Sequence, residues 1–118
     1  MPRLKIYEYK NCGTCRKALK YLDERGIAYE RIPIREQPPT RDEIRKMFRY
    51  VGNLRKLFNV SGGDYKALGL KDKLPKMSEN EALDLLASNG NLIKRPFVLS
   101  KDFGWVGFDE KVWKESVK

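Results

Sequence analysis

The chain has 118 residues, 41% hydrophobic and 11% aromatic, with 25 Lys+Arg against 16 Asp+Glu and no histidine. That length sets a single domain over residues 1–118, with core enough to fold without disulfide or metal staples. No apolar run approaches the roughly 20 residues that span a bilayer and no signal-like stretch opens the chain, so membrane and secreted classes are excluded and a cytoplasmic monomer is expected.

Taken in order, Leu4-Lys5-Ile6-Tyr7-Glu8-Tyr9 alternates as a strand does, and Lys10-Asn11-Cys12-Gly13 breaks it. Cys15, Ala18, Leu19 and Leu22 then recur at helical spacing, and Gly26 stands where a helix closes. Ile27 to Ile34 returns to a strand, which this short crossover makes parallel to the first. Thr40 with Glu43 is a capping box opening a helix whose apolar face is Ile44, Met47/Phe48 and Val51. Leu54, Leu57 and Phe58 predict another short helix, Asn59 to Gly63 a loop, and Tyr65, Leu68 and Leu70 a resumed apolar face. Ser78 with Glu81 is a second capping box, before Ala82, Leu85 and Leu86 and a stop at Asn89-Gly90. Phe97-Val98-Leu99 and Trp105-Val106 flank a turn at Asp102-Phe103-Gly104 and read as a hairpin. Asp109 to Val117 closes as a helix with Val112 and Trp113, or Ser116, facing in. The expected fold class is α/β: a β-α-β unit, a helical insert over about 40–90, then β-β-α, the order of a thioredoxin-like domain.

The chemistry points to Cys12-Gly13-Thr14-Cys15, at the strand-to-helix junction. A sulfur at the start of a helix meets unpaired backbone N–H groups and the positive end of the dipole, which favour a thiolate by about 1–2 kcal/mol. Cys15 lies one turn on, on the apolar face, and reads as the buried partner thiol. The competing readings are weaker. A structural zinc site needs four ligands and the chain offers two cysteines, so no metal is expected. A structural disulfide around so short a loop adds little stability, and the cytosol would reduce it. Two unrelated core cysteines would not leave Cys12 off the helical repeat. A redox-active pair is the stronger reading. Arg95-Pro96 stands at the entry to the third strand, where proline is tolerated.

Cys12-Gly13-Thr14-Cys15-Arg16-Lys17-Ala18, Asn59 with Ser61-Gly62, Leu92-Ile93-Lys94-Arg95-Pro96 and Val106-Gly107-Phe108 together resemble the arsenate reductase/Spx family, in order and over nearly the whole chain. The resemblance is nearest to the small Cys-x-x-Cys members of its Spx-type and uncharacterised branches. It implies a thioredoxin-like fold with a helical insert and a cis-proline at Pro96 beside the active cysteine. It implies a nucleophile at Cys12, and Arg95 as the middle one of three oxyanion-binding arginines. Near Leu57-Phe58 and Gly107-Phe108, where the other two would fall, this sequence has none. Asn11, Thr14, Arg16, Arg95 and Pro96 form the candidate substrate-binding set around catalytic Cys12 and Cys15.

Two functions follow. The leading one is a thiol-dependent oxidoreductase: Cys12 attacks a disulfide, a glutathione adduct or, third in order, arsenate, and Cys15 resolves the adduct. It needs no bound cofactor and takes electrons from glutathione, glutaredoxin or thioredoxin. The alternative is an Spx-type redox-switched regulator that binds the RNA polymerase α subunit. It draws on the charge asymmetry, 15 Lys+Arg against 7 Asp+Glu in residues 1–60 but 10 against 9 beyond, and on Arg41, Arg45 and Arg49 at i, i+4 spacing. A solvated helix face opposite Ile44, Met47 and Val51 is the simpler account of that stripe. Basic and aromatic residues do not cluster into a nucleic-acid module, so direct DNA or RNA binding is not expected.

Overall fold

In the computed structural model, which describes residues 4–10 and 12–116, four strands form one mixed sheet in the order β2-β1-β3-β4. Strand β1 (Leu4–Glu8) pairs in parallel with β2 (Tyr29–Pro33) through the crossover helix α1 (Gly13–Glu24). Strands β3 (Phe97–Leu99) and β4 (Gly104–Val106) add an antiparallel hairpin on the other side of β1. Helix α6 (Glu110–Ser116) closes the chain. This is the expected thioredoxin-like β-α-β plus β-β-α arrangement. Between β2 and β3 the chain makes α2 (Arg41–Val51), α3 (Gly63–Ala67), α4 (Leu70–Lys73) and α5 (Glu79–Ser88), joined by short 3-10 turns, the last ending at Leu92.

Strand alternation sorts the core into two halves. Ile6, Val98 and Trp105 face Ala18, Tyr21 and Leu22 of α1 and Trp113 of α6. Tyr7, Phe97 and Leu99 face the helical insert, where Ile44, Met47, Leu57, Leu83 and Leu86 pack against them. On the first side Trp105 and Trp113 stack at 4.3 Å between centroids, and Phe108 meets Trp113 edge-on at 4.8 Å.

Glu43 fastens the insert to the sheet. Its backbone amide donates to Thr40 Oγ1 (3.2 Å), and its Oε1 accepts from the Thr40 amide (3.0 Å), completing the predicted capping box. The same carboxylate reaches β1: the Tyr7 hydroxyl donates to Oε1 at 2.7 Å and Lys5 Nζ to Oε2 at 3.1 Å. Burial alone would raise the Glu43 pKa, but the Thr40 amide, the Tyr7 hydroxyl and Lys5 outweigh it and hold it below its usual value. Burial, and then this bond to a carboxylate, push the Tyr7 phenol well above its ordinary range. A second fastening is steric. A Cβ on Gly90 would stand 2.0 Å from the carbonyl oxygen of Ile34, so only glycine lets the end of the insert lie against the chain leaving β2.

Several sequence expectations are corrected. Phe58 is not helical: the 3-10 turn ends at Leu57, and Phe58 forms an antiparallel bridge with Ile93. Leu68 is exposed, because α3 lasts little more than one turn and the chain reverses at Gly69 (φ 66°) before Leu70 enters the core. On α5 the buried face is Ala82, Leu83 and Leu86, with Leu85 at its margin. Asp109 caps α6 rather than starting it, its Oδ1 accepting from the Lys111 amide at 3.1 Å. Trp113 is buried but Val112 is 46% exposed, since neighbours on a helix point about 100° apart and the tryptophan takes the inward direction. Val117 and the Ser116 side chain lie outside the described residues.

Two substitutions test these dependencies by urea unfolding. Trp113→Ala should cost about 3–5 kcal/mol, as expected for a large buried aromatic. Thr40→Ala should cost about 1 kcal/mol, the worth of an N-cap.

Candidate active site

A parallel β-α-β unit brings the carboxyl ends of β1 and β2 to one edge of the sheet, and the cysteine motif leaves that edge at the start of α1. The loop is held from both sides. The Cys12 amide donates to the Tyr9 carbonyl at 3.0 Å. Arg16 donates through Nε and Nη2 to the Lys10 carbonyl, both at 3.3 Å. Cys12 is itself the N-cap of α1, and its Sγ accepts from the Cys15 amide at 3.3 Å. The sulfur therefore occupies the place where a serine or aspartate oxygen ordinarily satisfies a free N–H of the first turn.

Cys12 is partly accessible, whereas Cys15 is 1% exposed. Burial pushes the Cys15 thiol up to about 12, reinforced by its side-chain hydrogen bond with Cys12 and by the negative charge of Glu8, against a smaller lowering by the Tyr9 backbone. Glu8 is the one buried charged side chain among the described residues, and Arg31 covers it with Nε at 3.0 Å and Nη2 at 2.7 Å from the same Oε1. With Tyr9, Lys10, Pro33 and Glu36 this pair lines a cleft of about 320 Å³.

The other anticipated residues fall as follows. Thr14 is exposed in the first turn of α1. The Arg95–Pro96 peptide bond is cis, and Pro96 is buried. Continuing the antiparallel pairing of Tyr7 with Phe97 sets Arg95-Pro96 alongside Glu8-Tyr9, at the sheet edge that carries Cys12. The Arg95 guanidinium lies 5.2 Å from the centroid of the Tyr9 ring. Arg95 and Cys12 thus share Tyr9, one through its ring and the other through its carbonyl. Asn11 lies outside the described residues. No group of three or more potential metal ligands exists among the described residues.

Sequence reasoning passed over Glu8, Tyr9, Arg31 and Arg35. Arg35 holds its guanidinium 4.8 Å from the same Tyr9 centroid. No local sequence signal marks these residues, because the register that pairs Glu8 with Pro33 sets which residues past Ile34 run beside those leading to Cys12.

A Cys-x-x-Cys pair thus stands at the start of the first helix of a thioredoxin-like sheet, an arrangement suited to thiol-redox chemistry. The comparisons give it a family. The ArsC family profile matches residues 7–116, and the chain belongs to that family. It is 47% identical over 114 residues to the uncharacterized protein YusI of Bacillus subtilis, covering 96% of this chain and 97% of the relative. It is 34% identical over 109 residues to an arsenate reductase of Neisseria meningitidis, covering 91% and 92%. The crystal structure of an ArsC family related protein from Bacteroides fragilis superposes with a TM-score of 0.91 at 40% identity, over 96% of both chains. The family resemblance carried by the cysteine, Asn59, Lys94-Arg95-Pro96 and Val106-Gly107 motifs is therefore borne out.

The high Cys15 value has a pH consequence. Below about 9, its ordinary value, the thiol is protonated whether the chain is folded or not. Between about 9 and about 12 it ionises only in the unfolded chain, so this group removes stability as pH rises through that window. Cys15→Ala should flatten that part of the alkaline decline in denaturation free energy. At pH 8, iodoacetamide should leave Cys15 of a Cys12→Ser variant unlabelled until denaturant is added, as read by peptide mass spectrometry.

Proposed function

We propose that the protein is a cytoplasmic thiol-dependent oxidoreductase with Cys12 as nucleophile and Cys15 as resolving thiol. The observation that carries this reading is the Cys15 amide hydrogen bond to Cys12 Sγ, with the protonated Cys15 thiol buried against the same sulfur. An accessible sulfur held on helix amides can accept a substrate. A second thiol one turn on is placed to displace it.

On a glutathione mixed disulfide, the Cys12 thiolate attacks the glutathione sulfur, a Cys12–glutathione disulfide forms, and the other thiolate leaves. Cys15 then attacks the Cys12 sulfur. Its proton passes to the departing glutathione sulfur, and a Cys12–Cys15 disulfide remains. Two glutathione thiols, or the dithiol of glutaredoxin or thioredoxin, return two electrons and are oxidised to a disulfide. Arg95 and Pro96 border the substrate, with Thr14 and Arg16 at the start of α1 and Asn11 next to Cys12 in sequence. Disulfides and glutathione adducts stand ahead of arsenate as substrates. Among the family's oxyanion arginines only Arg95 has its counterpart, and Leu57 and Phe58, where another would fall, are buried core residues.

The regulator reading has thinner support. Of its basic stripe, Arg41 is committed to Asp84 and Asn80 of α5 and Arg45 approaches Asp42 at 3.9 Å, while Arg49 stands in the last turn of α2.

NADPH-coupled turnover tests the proposal, with glutaredoxin and thioredoxin systems offered a glutathionylated peptide and arsenate separately. Cys12→Ser should lower the rate by a factor on the order of 10³ or more. Cys15→Ser should accumulate a glutathione adduct on Cys12 under limiting reductant, seen as intact mass. Silence with every substrate while the pair still cycles between dithiol and disulfide would overturn the enzyme reading and direct attention to a polymerase pull-down.

A further inference from the structure

On the insert side of Tyr9 lies a second cleft, of about 230 Å³, lined by Tyr9, Arg35, Asn59, Asp64, Asn91 and Arg95 together with Gly62 and Gly63. Two guanidiniums stand over one tyrosine ring, and among the described residues neither Arg35 nor Arg95 has a carboxylate partner within ion-pair distance. They come from opposite flanks of β1, Arg35 after β2 and Arg95 before β3, so the sheet converges both charges on one point. The one carboxylate on the wall is Asp64, whose Oδ2 accepts from Asn89 Nδ2 at 3.0 Å and which keeps acceptor capacity beyond that bond. The floor is tightly built: a Cβ on Gly62 would meet Asn59 Nδ2 at 2.6 Å, so glycine there lets the 59–63 loop fold over the asparagine.

We infer that this cleft is a subsite for the α-amino-acid end of a low-molecular-weight thiol, with Arg35 and Arg95 receiving the carboxylate and Asp64 the ammonium group. Planar guanidiniums suit a carboxylate, and a cleft of this size admits an amino-acid head rather than a folded protein surface. Tyr9 joins the subsite to the nucleophile, its ring forming the wall and its carbonyl holding the Cys12 amide. A tripeptide, extending about 10 Å, has the length to bridge that residue. The assignment gives Asn59 and Gly62 a purpose and makes Arg35 a specificity-determining residue. It deepens the reductase reading, on which its catalytic consequence rests, but the binding itself does not depend on turnover.

Two non-exchanging probes, S-methylglutathione and S-methylcysteine, would be titrated into isotope-labelled protein and followed by amide shifts. At least one should bind saturably and move the amides of Arg35, Asn59 to Asp64 and Asn91. The tighter of the two tells a γ-glutamyl tripeptide from a free amino acid. Arg35→Leu should weaken that binding about tenfold or more, and Arg35→Lys should restore part of it. Absence of saturable binding by both probes, equal binding of their carboxyl methyl esters, or an unchanged affinity in Arg35→Leu would overturn the assignment. In turnover, Arg35→Leu should raise KM about tenfold for a glutathionylated peptide with kcat within about twofold. With thioredoxin as the sole reductant and no glutathione present, turnover of bis(2-hydroxyethyl) disulfide, which carries no charge to meet the subsite, should not show that rise in KM. Turnover without that selectivity removes the subsite and keeps the reductase. Binding without turnover does the reverse.

Discussion

Every α-helix begins with amides that have no partner inside it, and here that constraint is met by a sulfur. Cys12 accepts from the Cys15 amide where an oxygen would ordinarily sit, so the need to finish the helix and the need to hold a nucleophile have one solution. The rest of the edge is arranged around that bond. Tyr9 fixes the Cys12 amide, Arg16 reaches back to the Lys10 carbonyl, and Glu8 paired with Arg31 lines the adjoining cleft. Cys15 is then the inner member of the pair by burial rather than by sequence order, and its raised proton affinity follows from the same burial.

The sheet keeps this machinery apart from the helical insert while letting both reach it. One face belongs to α1, α6 and the tryptophan stack, and the other to the insert. Glu43 ties the insert to its own face of the sheet, since one carboxylate completes the cap of α2 and takes the Tyr7 hydroxyl of β1. Tyr7, Glu8 and Tyr9 thereby commit three successive residues to three tasks: docking the insert, supporting the cysteines, and gathering the arginines.

Much of this was legible in the sequence, and the reasons differ by element. The succession of elements along the chain, both capping boxes and the cysteine junction rest on local signals: alternation, a threonine or serine three residues before a glutamate, and a break after β1. The errors fall where direction is set from a distance. Val112 and Trp113 are both apolar, and the waiting rings of Trp105, Phe108 and Tyr21 favour the tryptophan as the one that turns inward. Phe58 follows a helical pattern but is claimed by Ile93, thirty-five residues later. Arg35 carried no local signal, because its partner ring arrives through the register of a parallel pair. The cysteines and Arg95 could be named beforehand, whereas the residues that relate them to one another had to await the fold.

The bridge between Phe58 and Ile93 has a mechanical consequence. On either side of it the Asn59 amide donates to the Leu92 carbonyl and the Lys94 amide to the Leu57 carbonyl, each at 2.8 Å. These bonds clamp the segment carrying Asn59 to the one that leads into Arg95. The Asn59 and Arg95 banks of the cleft behind Tyr9 are therefore tied to one another through backbone. Moving the loop at residues 59–63 would strain these two bonds, so the positions of Asn59 and of the segment entering Arg95 are set together.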